Sequence, residues 1–350
     1  MKLRPPAMKR LLAGALLLAC AACAGDRIHP PAAAASTGDS SAGDTVAEVA
    51  MEPALPEPRP EADAAYLVWS ADSAWKTETA WIDGAGRVVA WRPGVFVAAG
   101  GGLWAWTEHE ERIVATNCEC YRRNEYDESA RCPEPARITL VDVVDLLSRR
   151  RVSILGDEKG ISVAPPTQGA VAYAGVGPYL FVENEIEWYD CYHHDGFAVD
   201  PLVMDLSRGA VVELVDSAAA EGVLARQGAE ARAAMVREFA ESSMDTTEVG
   251  SGPPSFSSVE AAWTAEGRLR VSYRFLSSAC FACSNEHASS YSMSAAVPAA
   301  DIPPKLAPYA VAPDAVRLYW RRSPPGAHAG WSRVDTADRA GALARFRAAR

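Results

Sequence analysis

Short apolar runs separated by glycine-containing turns dominate the chain from Tyr66 onward. Residues 78–91 contain two such runs around the turn Asp-Gly-Ala-Gly, which predicts a β-hairpin. Residues 95–107, with three glycines in the middle, predict a second hairpin, and residues 259–275 repeat the pattern late in the chain. The tryptophans of these runs alternate with Ala, Val and Ile, which favours core packing over an exposed aromatic face.

Two further segments resemble each other. Residues 138–155 and 201–215 each read as a strand, Asp-Leu, a short turn with Ser and Arg, and a second strand. Each follows a strand rich in glycine and aromatic residues and then a cysteine-bearing loop. Repeated short strands of this kind predict a mostly β fold with propeller-like antiparallel repeats, and a β-sandwich is the alternative.

One segment interrupts the β pattern. Residues 217–242 are rich in alanine, carry apolar side chains near helical spacing, and have Asp216 or Ser217 available as N-cap. We expect a helix inserted between β units, packed against the flank of a sheet rather than closing over a site. Residues 314–321 predict a short helix.

The boundaries of the globular domain follow from composition. We expect it to span residues 66–322 and to be followed by a basic C-terminal tail at residues 323–350, with a helix over 335–350. The tail either meets an acidic or anionic surface or ends as a frayed terminus.

The N-terminus has the pattern of a secretory signal. Four basic residues precede an apolar core at residues 11–19, which is too short to span a bilayer as a helix. The sequence Leu17-Leu18-Ala19-Cys20 resembles the lipobox of bacterial lipoproteins, and Cys23 is a second candidate. The resemblance implies removal of residues 1–19, lipidation of Cys20, and sorting to the outer membrane of a Gram-negative bacterium because Ala21 follows. An ordinary cleaved signal peptide is the alternative.

The residues that follow Cys20 predict a tether up to residue 65. Residues 24–65 are rich in Ala, Pro, Ser and acidic side chains and contain too few large apolar residues to fold. Flexible-chain scaling gives this tether a reach of about 35 Å.

Charge narrows the choice of partners. The chain has a formal net charge of −11, and loss of four basic residues with the signal segment makes the mature chain more acidic. Such a body is not expected to bind nucleic acid. Because no second apolar run is long enough to cross a bilayer, we expect membrane attachment through the N-terminal lipid, and an envelope ligand or protein of unknown identity as partner.

Six cysteines remain after the signal region, an even number in an exported chain, which favours disulfides. They allow 15 pairings. Zinc bound by Cys280, Cys283 and His287, with Cys191 or His193 as fourth ligand, is a competing interpretation. The disulfide candidates are Cys118, Cys120, Cys132, Cys191, Cys280 and Cys283.

The best candidate for chemistry is the run Asp-Cys-Tyr-His-His-Asp at residues 190–195, which is either a solvated loop or a metal or acid–base site. His109 fits no HExxH pattern, and no GxSxG, P-loop or GxGxxG sequence occurs. We therefore predict a non-enzymatic binding or scaffolding protein without a cofactor, and the alternative is a metal-dependent hydrolase centred on residues 190–195. The predicted binding residues, displayed around the cysteine loops, are Tyr192, His193, His194 and His287.

Overall fold

The computed structural model describes residues 54–71, 76–113, 136–154, 167–189, 195–227, 255–278, 290–323 and 327–349. These residues form a mostly β body of fifteen strands in three sheets, as the sequence predicts at the level of fold class. The strands are β1 Ala65–Ala71, β2 Thr77–Asp83, β3 Val88–Pro93, β4 Phe96–Ala99, β5 Gly102–Ile113, β6 Ala136–Asp145, β7 Arg151–Ser153, β8 Thr167–Val176, β9 Tyr179–Tyr189, β10 Asp195–Asp205, β11 Ala210–Val211, β12 Ser255–Trp263, β13 Leu269–Ser278, β14 Ser290–Ala296 and β15 Ala327–Arg333.

Three α-helices accompany the strands in the described residues: α1 over 217–227, α2 Asp314–Trp320 and α3 Arg339–Ala348. Two short 3₁₀ turns cover Ala299–Asp301 and Ala307–Tyr309. None of the helices in this part of the chain is both long and apolar enough to cross a membrane.

The largest sheet has the strand order β11-β10-β9-β8-β15-β1-β2-β3, and the others have the orders β4-β5-β6-β7 and β12-β13-β14. The large sheet is mixed because β15 pairs with β8 in parallel, over Gly330 and Trp331 only. The antiparallel pairs β2–β3, β4–β5 and β12–β13 confirm the three hairpins predicted from the glycine turns.

The strands fall into four consecutive groups. Group 1 is β15 with β1–β3, group 2 is β4–β7, group 3 is β8–β11, and group 4 is β12–β14. Four hydrophobic clusters link these groups in cyclic order. Leu67 and Phe96 join groups 1 and 2, and Val143 and Leu180 join groups 2 and 3. Groups 3 and 4 share a core, and α2 and Trp263 close the contact between groups 4 and 1.

The two similar sequence segments build equivalent turns. Asp145 ends β6, and its carboxylate accepts hydrogen bonds from the Ser148 hydroxyl and from the backbone of Leu147. Asp205 ends β10, and its carboxylate accepts equivalent bonds from the Ser207 hydroxyl and backbone. The register agrees, since Asp145 pairs with Trp104 of β5 and Asp205 pairs with Tyr179 of β9. Groups 2 and 3 are thus two copies of one four-stranded plan.

Helix α1 occupies the start of the predicted helical segment. Asp216 is its N-cap, because the carboxylate accepts a 2.8 Å hydrogen bond from the Ala219 amide. Ala220 and Val223 are buried in the core between groups 3 and 4. The expected packing against a sheet is therefore confirmed for residues 217–227, and the remainder of the predicted helix lies outside the described residues.

The residues expected to form a basic tail are part of the body. Strand β15 lies between β1 and β8, and Phe346 of α3 is fully buried against Trp81 and Phe96. The reason is that β1 needs a partner on its inner edge and β15 supplies it through six residue pairs. The C-terminal segment is held by strand pairing and apolar burial, not by its charge.

The end of the predicted tether also packs on the body. Arg317 of α2 is only 4% exposed and donates a 2.7 Å hydrogen bond to the Pro56 carbonyl. The Arg59 amide donates to Asp314, and the Ala315 amide donates to Glu61. Residues 55–64 thus form a strap over the first turn of α2, whereas the sequence predicts a free spacer up to residue 65.

Candidate functional site

The site residues singled out in the sequence lie outside the described residues. This holds for the lipidation candidate, for the disulfide candidates and for the proposed binding side chains. They are Cys20, Cys118, Cys120, Cys132, Cys191, Tyr192, His193, His194, Cys280, Cys283 and His287. Their roles remain predictions, and only Asp195 of the run 190–195 falls within a described strand, as the first residue of β10.

A cleft of about 240 Å³ lies where turns from different groups converge. The turn between β4 and β5 supplies Gly100 and Gly101, and the turn between β8 and β9 supplies Gly177 and Pro178. The remaining lining residues come from the Asp205 turn, from a 3₁₀ turn and from the end of β15, and they are Ala98, Ala99, Ser207, Tyr309, Trp331, Arg333 and Asp335. Residues more than 230 positions apart in the chain therefore form one surface.

Glycine is required at two positions of this cleft. Gly177 has φ +59°, and a Cβ there would overlap the ring of Tyr309. Gly100 has φ +60°, and a Cβ there would lie 3.0 Å from the Ser207 backbone. Because both turns lack side chains at these points, the floor of the cleft is backbone, and its amides and carbonyls can approach a ligand closely.

One wall of the cleft is aromatic. The Tyr309 ring meets Tyr179 edge-on, with centroids 6.2 Å apart, and lies 5.9 Å from the Trp331 ring. Burial raises the pKa of the Tyr309 phenol, and the negative charges of Asp205 and Asp335 raise it further. Tyr309 therefore remains a neutral hydrogen-bond donor at any physiological pH.

The rim of the cleft carries one charge of each sign. Arg333 Nε lies 3.1 Å from Asp335 Oδ1, and the two side chains are 59% and 68% exposed. An exposed pair of this kind contributes little to stability, so either partner can turn to a ligand at small cost. The rim thus offers a carboxylate acceptor and a guanidinium donor to the same molecule.

The strands that lead to the cysteine loops start beside this cleft. Strand β5 follows the Gly100–Gly101 turn, and β9 follows Gly177 and Pro178, so both run away from the cleft towards Ile113 and Tyr189. Arg274 of β13 lies 3.6 Å from Glu183 of β9, which sets these two strands side by side. The described ends of β5 and β9 therefore lie opposite the cleft.

A second polar cluster lies on group 2. The Asp142 side chain on β6 is almost completely buried, with His109 Nδ1 of β5 at 3.3 Å and Arg151 Nη1 of β7 at 3.2 Å from the same oxygen, Oδ2. Neither Oδ2 nor His109 Nδ1 has an aligned hydrogen-bond partner. In the described part of the chain, no three His, Cys, Asp or Glu residues come together as a ready metal cluster.

Sequence reasoning missed both of these places. The glycine turns at residues 100–101 and 177 were visible, but only as turns, and nothing indicated that they meet. Asp142 stands among valines in β6, which is also the pattern of a strand with one solvent-facing side. An unusual burial of Asp142 is a property of the three-dimensional arrangement alone.

Comparison with known proteins adds no functional information: no family model matches the chain, and no curated protein and no solved structure matches it either.

Proposed function

We propose that this chain is an exported, lipid-anchored protein of the bacterial cell envelope whose body is a non-enzymatic binding module. The cleft carries the proposal, because three turns, an aromatic wall and a rim with both charges converge on one concave surface. Concave sites with a few convergent polar groups are the usual form of ligand sites. At about 240 Å³ the cleft fits a small ligand or a single side chain of a partner rather than a large substrate.

The architecture of the body is best explained as a four-bladed, propeller-like arrangement. Two features support it: the four strand groups contact one another in cyclic order through four clusters, and a C-terminal strand joins the N-terminal group. A two-sheet sandwich would have one core between two layers. In a propeller, equivalent turns of successive blades emerge on the same side, as the turns around the cleft do.

The chemistry of the cleft favours a small polar ligand without large net charge. Arg333 and Asp335 balance each other, the Tyr309 phenol is neutral, and the glycine turns offer backbone groups. A strongly anionic or cationic ligand would leave one rim charge opposed. Saccharide units and short peptide pieces of envelope polymers have the required mixture of donors and acceptors.

Anchoring rests on the N-terminal sequence. The lipobox-like Leu-Leu-Ala-Cys predicts a mature chain that begins at acylated Cys20. Residues 24–54 then connect the lipid to the strap at 55–64, which keeps the body close to a membrane without inserting it. Mass spectrometry of the mature N-terminus tests this, and an unmodified N-terminus at another residue would contradict it.

The six remaining cysteines are proposed to form three disulfides that staple long loops. The expected result of peptide mapping under non-reducing conditions is that all six are oxidised. Six thiols that react fully with an alkylating reagent would contradict the disulfides and favour the zinc interpretation.

Native mass spectrometry tests the binding function. The mature protein is incubated with a solubilised digest of envelope polymers, and a single small-molecule adduct is expected. The variant Arg333→Ala/Asp335→Ala should lose it. The control Arg226→Ala/Asp301→Ala removes another exposed pair, 2.8 Å apart, and should keep the adduct. An adduct that survives in the cleft variant, or none in the wild type, would overturn the cleft as the site.

The alternative function, a metal-dependent hydrolase centred on residues 190–195, rests on the sequence alone. Its histidines and Cys191 lie outside the described residues. The described part of the chain offers no observation that favours it.

A further inference from the structure

The internal repeat identifies an unusual set of residues on group 2. The equivalence of Asp145 and Asp205 aligns the strands residue by residue, so that Asp142 corresponds to Leu202. Thr107, which pairs with Asp142, corresponds to Val182, which pairs with Leu202. One copy of the plan therefore holds apolar side chains where the other holds polar and charged ones.

The exchange carries an energetic cost. Val182 and Leu202 contribute to the core between groups 2 and 3, whereas Asp142 is 2% exposed and is an ionisable group. Removing a carboxylate from water costs several kcal/mol unless well-directed partners replace the water. A position that could hold leucine, as its equivalent does, has no structural need for this charge.

The partners of Asp142 are close but not aligned. His109 Nδ1 is 3.3 Å and Arg151 Nη1 is 3.2 Å from Oδ2, yet the Oδ2 and Nδ1 atoms are both buried without a hydrogen bond. Buried polar atoms are almost always satisfied, and an exception indicates strain, catalysis or an ion. The two unsatisfied atoms here are an imidazole nitrogen and a carboxylate oxygen that face a common space.

We propose that His109 Nδ1 and Asp142 Oδ2 are two ligands of a divalent transition-metal ion of the zinc class. With zinc–nitrogen and zinc–oxygen bonds of about 2.1 Å, two ligands of a tetrahedral site lie about 3.4 Å apart. The observed 3.3 Å separation matches that edge. It also explains the misalignment, since atoms that point at a shared ion do not point at each other.

Arg151 takes the part of a competitor. Its guanidinium neutralises the Asp142 carboxylate, and its side chain is 59% exposed, so it can leave Oδ2 without losing a packed position. The His109 side chain is 35% exposed. When Arg151 moves away, the ion is reached from the solvent side and water fills the remaining coordination positions. The site is then an exchangeable one with open positions, unlike a closed structural zinc site.

Isothermal titration of Zn²⁺ into the full-length mature protein tests the proposal. Asp142→Asn is isosteric and keeps the neighbouring contacts, and His109→Gln is the second variant. Each should weaken one single-ion binding step at least tenfold. Arg151→Leu should instead tighten that step several-fold, because the competing charge is gone. His328→Gln is the control, since His328 stacks on Trp320 of α2, and it should leave the step unchanged.

Ions bound by cysteines or by other histidines form separate steps that these variants do not remove. Thermal unfolding identifies a variant that fails to fold, and the other ligand variant then decides. Wild-type binding in both Asp142→Asn and His109→Gln would overturn the proposal. Weaker binding in Arg151→Leu would also overturn it, because the guanidinium would then be part of the site rather than its competitor.

Discussion

Arg149 and Gly209 occupy the same position in two equivalent turns, and both have a left-handed backbone, with φ of 66° and 62°. They follow Asp145 and Asp205 by the same four residues. Glycine adopts this conformation without strain, whereas a residue with a Cβ does not. One turn of the internal repeat therefore has the favourable residue, and the other retains an arginine at a conformational cost.

Replacement of Arg149 by glycine is expected to stabilise the protein by about 0.5–1 kcal/mol, because relief of left-handed strain outweighs the added freedom of the unfolded chain. Arg149 is exposed, so little packing is lost. The reverse change, Gly209→Ala, should destabilise, since its Cβ would lie 2.7 Å from Arg150 Nη2. Urea unfolding measures both, and a less stable Arg149→Gly variant would contradict the equivalence.

Glu61 caps a helix that begins 253 residues later in the chain. Its carboxylate accepts a 3.3 Å hydrogen bond from the Ala315 amide in the first turn of α2 and a 2.5 Å bond from the Tyr66 hydroxyl. Glu61→Ala should lower the free energy of unfolding by about 1–2 kcal/mol, as loss of a cap and of a side-chain bond predicts. Glu57→Ala, which removes an exposed ion pair with Arg321, should change it by less than about 0.5 kcal/mol. Equal effects would show that the strap is not specific.

Tyr66 should make the protein sensitive to alkali. Burial raises the pKa of its phenol, and the hydrogen bond and charge of Glu61 raise it further. Above pH of about 10 the unfolded state loses the Tyr66 proton while the folded state keeps it, so stability falls as pH rises towards the folded pKa. Tyr66→Phe should reduce that slope by about 1.4 kcal/mol per pH unit. An unchanged slope in chemical unfolding between pH 10 and 11 would contradict this assignment.

The cleft can be closed by one methyl group. Gly177→Ala places a Cβ into the Tyr309 ring and also strains a left-handed turn, so both ligand binding and at least about 1 kcal/mol of stability should be lost. Gly101→Ala is the matched control: its φ is +77°, but no atom lies within 4 Å of the added Cβ. The control should show the backbone cost without the loss of binding. Equal binding by both variants, measured by native mass spectrometry, would argue against the cleft.

The local structure of this protein could be read from its sequence because short-range signals determine it. Gly86 and the glycines at residues 100–102 marked hairpins, and Asp145 and Asp205 marked the repeated turns. Each of these signals acts over a few residues.

The long-range pairings were not predictable in the same way. In β15, His328 and Ser332 alternate with Ala329 and Trp331 next to two prolines, a pattern also typical of an irregular tail. Its identity as a strand depends on β1, about 260 residues earlier. The cleft and the Asp142 cluster likewise depend on which strands become neighbours, which periodicity does not specify.

Hydrogen–deuterium exchange of the mature protein, with and without the solubilised envelope digest, tests the central claim most directly because it locates the bound ligand. Slower exchange is predicted in peptides that cover the turns at residues 98–101 and 177–178 and the segment 331–335, because these backbones line the cleft. Peptides that cover residues 190–195 should exchange at the same rate in both conditions. Protection confined to residues 190–195, with unchanged exchange around the cleft, would contradict the account and favour the hydrolase alternative.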